Sequence, residues 1–136
     1  MLHIQSEEVN ISASSAAIYE RLILPAHIES LLPEGKYSEW KSDDRSCSFK
    51  LQGMYTVALQ LVDQTPHHQI VWKSAEGSAI AFSLTLKLED QDAACLAQLH
   101  CDADVNAFME MMVKAPLKSL FDSMAKKLQR QFAPGA

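Results

Sequence analysis

The sequence predicts an α+β fold in which a curved antiparallel sheet of about seven strands wraps around a long C-terminal helix. Three observations support this prediction. Between residues 36 and 105, apolar residues recur at every second position, which is typical of antiparallel strands with one buried and one wet face. From residue 106 onward the apolar period changes to about 3.6 residues, the period of a helix. The strands are grouped between helices instead of alternating with them, which favours α+β over a doubly wound sheet.

Length and composition indicate one globular domain spanning residues 1–136. A chain of 136 residues with 48% hydrophobic and 21% charged residues has an ordinary globular composition. It is long enough to bury a core without disulfides or metals. We expect residues 133–136 to form a frayed tail.

Charge and cysteine content narrow the compartment and the partners. The formal net charge of −5 offers no field that would gather phosphates, so nucleic acid is not expected as a partner. Three cysteines, an odd number without a close pair, argue against a secreted disulfide framework. The sequence shows neither a signal peptide nor an uninterrupted apolar run of ~18 residues. We therefore expect a cytoplasmic protein without a transmembrane segment; peripheral membrane contact stays open, and the oligomeric state is undetermined.

The N-terminal quarter predicts one strand followed by two short helices. Residues 3–12 alternate loosely and predict the strand. Serines at positions 12, 14 and 15 then offer N-caps, since a hydroxyl can accept from the free amide protons of a first helical turn. Pro25 suits the first turn of the second helix, and Pro33 ends it.

Two strands of the predicted sheet have the clearest patterns. Every second residue from Ile80 to Leu88 is apolar, and the next run, residues 95–104, is apolar at its odd positions and polar at its even positions from Gln98 onward. Turn-forming segments separate the predicted strands at residues 43–45, 63–68, 76–77 and 89–92.

The C-terminal helix is predicted to begin after Asn106, a favoured N-cap, and to continue to Leu128. Pro116 has no amide proton and should kink this helix or divide it in two. Four of the six methionines lie in it, at positions 109, 111, 112 and 124. Flexible, polarisable side chains suit a wall that adapts to a ligand, and they equally suit an irregular core.

Several features of the chain match one superfamily in topology and hydrophobic pattern. They are the first strand leading into residues 11–19, the close of the second helix at residues 31–34, the strand pair over residues 70–77 and 79–88, and the helix from Phe108 to Leu128. In these features almost the whole chain resembles the START and birch-pollen-allergen (SRPBCC, polyketide cyclase-like) helix-grip superfamily. It is most similar to small stand-alone bacterial members without an assigned activity.

The resemblance implies an apolar cavity between sheet and helix without implying an enzyme. Members bind lipids, sterols, quinones, polyketides or plant hormones there, and some catalyse cyclisation or hydration. Plant members have a glycine-rich loop between their second and third strands. Residues 41–45 of this chain are Lys-Ser-Asp-Asp-Arg, so no role of that loop carries over.

We predict that a small apolar ligand binds in this cavity, with the dry face of the sheet as one wall and the C-terminal helix as the other. If Trp72 faces inward, its indole N–H is a polar anchor for such a ligand. No cofactor is predicted. The candidate ligand-binding residues are Trp72, Phe82, Leu84, Leu86, Phe108, Met111, Met112, Leu120 and Met124.

No catalytic or metal-binding residues are predicted. His67-His68 lies in a turn, where both rings are expected in solvent. His100 and Asp102 share the polar face of their strand, which favours a wet outer surface over an acid–base pair. The dry faces carry no carboxylate or histidine, so the cysteines on the last strand are interpreted as small apolar fillers. No Cys and His spacing resembles a zinc site.

Three functions remain open from the sequence. The leading hypothesis is non-catalytic binding of a lipid, quinone or aromatic metabolite. The second is a cyclase or hydrolase that acts on an apolar substrate in the same cavity, with catalytic groups from helices or loops. The third is an interaction module whose cavity is filled by its own side chains and which docks on a protein or a membrane surface.

Overall fold

The computed structural model describes residues 2–51, 53, 55–91 and 94–132, and within these it has one eight-stranded antiparallel sheet. The strands are β1 Leu2–Gln5, β2 Val9–Ile11, β3 Tyr37–Ser42, β4 Ser46–Leu51, β5 Tyr55–Thr65, β6 Gln69–Ser74, β7 Ala81–Gln91 and β8 Ala94–Asp104. The helices are α1 Ser15–Leu22, a 3₁₀ helix Pro25–Leu31, and α2 Ala107–Gln131.

From β3 to β8 each strand pairs with the next one along the chain, and β1 and β2 both pair with β8. The sheet is open, because its two edges, β3 and the β1–β2 pair, are not joined in the described residues. The predicted α+β architecture, an antiparallel sheet with a long C-terminal helix, is confirmed.

The sheet has one strand more than predicted because the strand predicted over residues 3–12 is interrupted at Ser6, which leaves β1 and β2 as two separate strands. The Ser6 amide donates to the carbonyl of Leu99 at 2.9 Å, and the Ser6 hydroxyl accepts from the Leu99 amide at 2.9 Å. Gln98 Nε2 donates to the Ser6 carbonyl at 2.9 Å. The buried side chain of Ser6 thus replaces a backbone group in the pairing with β8, so β1 and β2 are two separate strands that both pair with β8.

Two of the four predicted turns lie where the sequence placed them, at residues 43–45 and 76–77. The predicted turns over 63–68 and 89–92 are shorter than expected, because β5 continues to Thr65 and β7 continues to Gln91, which pairs with Ala94. Polar side chains at these strand ends do not interrupt backbone pairing, since both faces are wet there. Residue 92 and the predicted tail over 133–136 lie outside the described residues.

Both α-helices have the predicted caps. Ser14 Oγ accepts from the Ala17 amide at 3.2 Å, and Asn106 Oδ1 accepts from the Met109 amide at 2.9 Å. Helix α2 continues through Pro116, so of the two predicted outcomes, a kink or a division, the division does not occur. The missing amide proton removes only the bond to the carbonyl of Met112, and the turns on either side remain helical.

The position of α2 on the sheet determines where empty space remains. Among the described elements, the helix lies nearest to β1, β2, β8 and the 3₁₀ helix. In its C-terminal half, Leu120, Phe121, Met124 and Leu128 are buried. The N-terminal half faces the inner side of β4, β5 and β7 across a gap.

Candidate ligand-binding cavity

An apolar cavity of about 130 Å³ lies between α2 and the inner face of β4, β5 and β7. Engineered protein cavities of roughly 150 Å³ admit benzene, so this space accommodates one aromatic ring or the end of an alkyl chain. Three lining residues, Ala79, Met112 and Pro116, are also exposed to solvent and mark the mouth.

The helix wall of the cavity follows strict helical spacing. Positions three or four residues apart project from one face of a helix, and here that face is continuous over four turns. Its cavity-lining members are Met109, Met112, Val113, Pro116, Leu117, Leu120, Phe121 and Met124.

Five of the nine candidate residues line this cavity: Phe82 and Leu84 on β7, and Met112, Leu120 and Met124 on α2. Trp72 and Leu86 are buried in the sheet beside it and line a second, smaller space. The structure therefore brings seven of the nine together around α2.

The structure does not place Phe108 and Met111 in either space. Phe108 is 71% exposed and Met111 is 85% exposed, and neither lines the cavity. Their predicted place on the inner wall is wrong. Successive residues of a helix are rotated by about 100°, and each of these two residues lies one position before a residue that faces the cavity. Counting back from Leu120 by three or four residues gives Leu117, Val113 and Met109, which is the signal that the sequence analysis missed.

The sheet wall also extends beyond the predicted residues. Phe49, Leu51 and Leu59 line the cavity from β4 and β5, and Ile28 closes it from the 3₁₀ helix. The alternation at residues 47–51 indicated a buried face. It did not indicate which buried residues border empty space, since that depends on how far α2 stands from each strand.

The second space, which we call the inner chamber, is about 20 Å³ in volume and lies deeper along the helix. It borders Trp72, Leu86 and Ala125, among others. Ile28, Leu84 and Met124 line both the cavity and the inner chamber, so these three side chains form the partition between them.

Two buried polar atoms of these walls have no hydrogen-bond partner among the described residues. They are the indole nitrogen Nε1 of Trp72 and the hydroxyl Oγ of Ser78. Leaving a buried polar group unpaired costs about 1–3 kcal/mol. Both atoms are themselves enclosed, so neither offers open surface to a bound molecule.

Ionisable groups are absent from the described lining of both spaces, apart from weakly acidic side chains. Cys101 lines the cavity, and burial raises the pKa of its thiol to about 12, with a smaller effect from Asp102. A thiol with such a pKa is neutral at physiological pH and is a poor nucleophile.

The histidines considered in the sequence lie away from the cavity. His67 and His68 are exposed, as predicted. His100 lies on the outer face of β8, where burial and then Lys87 lower its pKa, and Asp102 is paired with His3. Within the described ranges, no group of three or more His, Cys, Asp or Glu is placed to hold a metal ion.

The exposed side chains of Phe108, Met111 and Met112 form an apolar patch on the first turns of α2, beside the cavity mouth. We call these three residues the mouth patch.

Among the described residues, no helix is long and apolar enough to cross a membrane.

No family model matches the chain, and no curated protein matches its sequence. Solved structures do match. Truncated norcoclaurine synthase from Thalictrum flavum superimposes with a TM-score of 0.77 at 15% identity, covering 99% of this chain and 95% of that chain. Protein XoxI from Bacillus cereus has a TM-score of 0.77 at 12% identity, covering 97% and 96%. The Aha1 dimer from Colwellia psychrerythraea has a TM-score of 0.72 at 14% identity, covering 99% and 98%.

At such identities the likeness shows the fold alone. An open antiparallel sheet around a long C-terminal helix, matched over nearly the whole chain, confirms the predicted helix-grip fold.

Proposed function

We propose that this chain binds a small apolar molecule in the cavity between α2 and the sheet, without chemical conversion. The observation that carries the proposal is an apolar space of about 130 Å³ with a mouth to solvent. Apolar pockets with few polar groups are typical of small-molecule sites. The alternative of a cyclase or hydrolase has less support, because the described lining offers no carboxylate or histidine as a general acid or base.

Cavity size restricts the class of ligand. Of the lipids, quinones and aromatic metabolites considered from the sequence, a one-ring aromatic molecule matches the enclosed volume. A longer ligand would extend past Met112 into solvent or onto the mouth patch.

The proposal is tested with ethylbenzene as probe and two tryptophan substitutions on neighbouring residues of α2. Met112→Trp adds bulk at the mouth and should weaken ethylbenzene binding, measured by calorimetry, at least about tenfold, or ~1.4 kcal/mol. Met111→Trp is the matched control, since Met111 is 85% exposed and outside the cavity, and its affinity should stay within about twofold. Equal affinities in the wild type and Met112→Trp would contradict the cavity assignment.

A deeper block is provided by Leu84→Trp. Leu84 lies in the partition, so a larger side chain should fill both spaces and abolish binding. Overpacking of this kind costs about 1–3 kcal/mol of stability, so the variant is first checked for a native circular dichroism spectrum. A folded Leu84→Trp that still binds ethylbenzene in full would refute the site.

Native mass spectrometry of freshly purified protein addresses the natural ligand. A stoichiometric excess mass that disappears on denaturation would support the proposal, and its value would indicate the ligand class. If only the mass of the ligand-free protein is found, the ethylbenzene titration becomes the test of the proposal.

A second candidate function rests on a separate observation, the mouth patch. Large apolar side chains at a helix start, with Lys114 exposed on the same helix, are typical of contact with an anionic lipid surface. A bilayer at this position would let an apolar ligand pass into the cavity without crossing water.

Vesicle co-sedimentation tests this contact. Wild-type protein should sediment with phosphatidylserine-containing vesicles more than with phosphatidylcholine vesicles, and the double variant Phe108→Ser, Met111→Ser should not. If the wild-type protein instead elutes as a larger species in size-exclusion chromatography and the double variant does not, the mouth patch joins two copies of the chain and the lipid proposal is wrong.

A further inference from the structure

We infer that Met124 determines the length of the apolar group that the cavity holds, because its side chain stands at the inner end of the cavity, between it and the inner chamber. The inference rests on the proposed function, since it assumes that a ligand enters the cavity. It adds a specificity-determining residue to that site, and it describes the buried end of the ligand as an apolar group that stops at Met124.

The cavity and the inner chamber follow one another along α2. Leu120 lines only the cavity, Met124 lines both spaces, and Leu128 lines only the inner chamber. These residues are four positions apart, so they lie on one face of the helix at steps of about 6 Å along its axis. All three are buried. A ligand that passes from the mouth along this face therefore meets Met124 before it reaches the inner chamber.

The other two members of the partition belong to different elements. Leu84 is on β7, where it pairs with Trp72 of β6 and Cys101 of β8, and Ile28 is on the 3₁₀ helix. Met124 comes from α2 and has the longest side chain of the three. Its replacement by alanine removes Cγ, Sδ and Cε from between the two spaces. Removal of this one side chain should therefore join them.

The chemistry of both spaces defines the end of the ligand that enters first. Their described linings contain no Lys, Arg, His, Asp or Glu, and the surface of the inner chamber is wholly apolar. A polar group at the partition would lose its hydration without gaining a hydrogen bond, whereas a methyl or methylene group gains burial there. The ligand therefore enters with an apolar end, and any polar group that it carries stays near the mouth.

A series of n-alkylbenzenes, from toluene to n-hexylbenzene, measures the available length by calorimetry. Each methylene group that becomes buried should tighten binding about fourfold, and one that stays outside the cavity should add little. The affinity of the wild type should rise with chain length and then level off. In Met124→Ala it should continue to rise over about three further carbon atoms, because three side-chain atoms have been removed. The same chain-length dependence in both proteins would overturn the inference.

Leu128→Ala is the matched control for this series. It also removes a buried apolar side chain from α2 and enlarges the inner chamber, but it leaves Met124 between the chamber and the cavity. Its affinities should level off at the same chain length as those of the wild type. If Leu128→Ala accepts longer chains to the same extent as Met124→Ala, general loosening of the core admits them and Met124 is not the determinant.

A measurement on the wild type keeps the test independent of how well Met124→Ala folds. Protein labelled with [methyl-¹³C]methionine carries the label at its six methionines, and Met124→Leu identifies the methyl resonance of Met124. Saturating n-butylbenzene should shift this resonance, because the probe ends against that side chain. The resonance of Met111, which is 85% exposed, should stay in place. An unmoved Met124 resonance in the presence of bound n-butylbenzene would contradict the inference.

The two proposals fail in distinguishable ways. If none of the alkylbenzenes binds to the wild-type chain, the proposed function is refuted. If they bind, but with the same chain-length dependence in the wild type and in Met124→Ala, the role of Met124 is refuted while the apolar site stands.

Discussion

Cys101 shows at the scale of one residue how burial sets the chemistry of a side chain. The thiol faces the cavity, and its surroundings raise its pKa to about 12, as they do for Cys47 on β4. Burial also raises the pKa of Cys95. A thiol in an apolar wall stays neutral, so the interpretation of these cysteines as apolar fillers agrees with their environment.

We expect Cys47 and Cys101 to resist iodoacetamide at pH 8 in the folded protein. Reaction requires the thiolate, and a pKa about three units above that of a free thiol lowers the thiolate fraction by roughly a thousandfold. Mass spectrometry after timed labelling measures this, with protein in urea as the fully reactive control. Rapid labelling of Cys101 without unfolding would mean that water reaches the cavity wall freely.

At the scale of an element, α2 both closes the core and carries the cavity wall. Its C-terminal half is buried against the sheet, whereas Pro116 near its middle is exposed and borders the mouth. Proline inside a helix leaves the carbonyl four residues earlier, here that of Met112, without its helical donor.

Pro116→Ala should therefore stabilise the protein. Restoring the bond and removing the ring clash should raise the free energy of unfolding by about 1–3 kcal/mol. The unfolded chain also gains conformational entropy when proline is replaced, and this reduces the increase by about 0.4–1 kcal/mol. Urea denaturation measures the difference, and Ala115→Ser on the neighbouring exposed residue is a control expected to change little. No gain would mean that the local backbone is adapted to proline.

At the scale of the whole molecule, Asp122 links helix α2 to the N-terminal segment between β1 and β2. Its carboxylate accepts from Lys118 Nζ at 2.8 Å within α2 and from the Glu7 amide at 2.8 Å between β1 and β2. Burial favours a higher pKa for this carboxyl, but the bonds from Lys118 and Glu7 outweigh it and lower the pKa below its ordinary value.

This pairing predicts a pH dependence of stability. Because the folded-state pKa of Asp122 is lower than the unfolded value of about 3.9, its contribution is complete above that pH and is lost as the pH falls through the folded pKa. Asp122→Asn should destabilise the protein at pH 7, and its deficit against the wild type should shrink below pH ~4. Urea titrations at several pH values measure this, with Asp44→Asn in the β3–β4 turn as a control. A deficit independent of pH would contradict the charge-based account.

Sequence patterns determined the elements of this protein. Strict alternation from Ile80 to Leu88, the caps at Ser14 and Asn106, and the change of period after residue 105 each follow from local physical preferences. These preferences act within a few residues, which is why the helix-grip order of elements could be predicted. The interruption at Ser6 could not, because it depends on a side chain pairing with Leu99 of a distant strand.

The cavity was decided by tertiary structure alone. The sequence indicated which residues are apolar and which face of an element they share, and five residues chosen in this way border the cavity: Phe82, Leu84, Met112, Leu120 and Met124. It could not say that Phe108 and Met111 lie in solvent, or that the N–H of Trp72 lacks a partner among the described residues, since both depend on how α2 is rotated and how far it stands from the sheet. Empty space is a property of the distance between elements, and no local pattern encodes that distance.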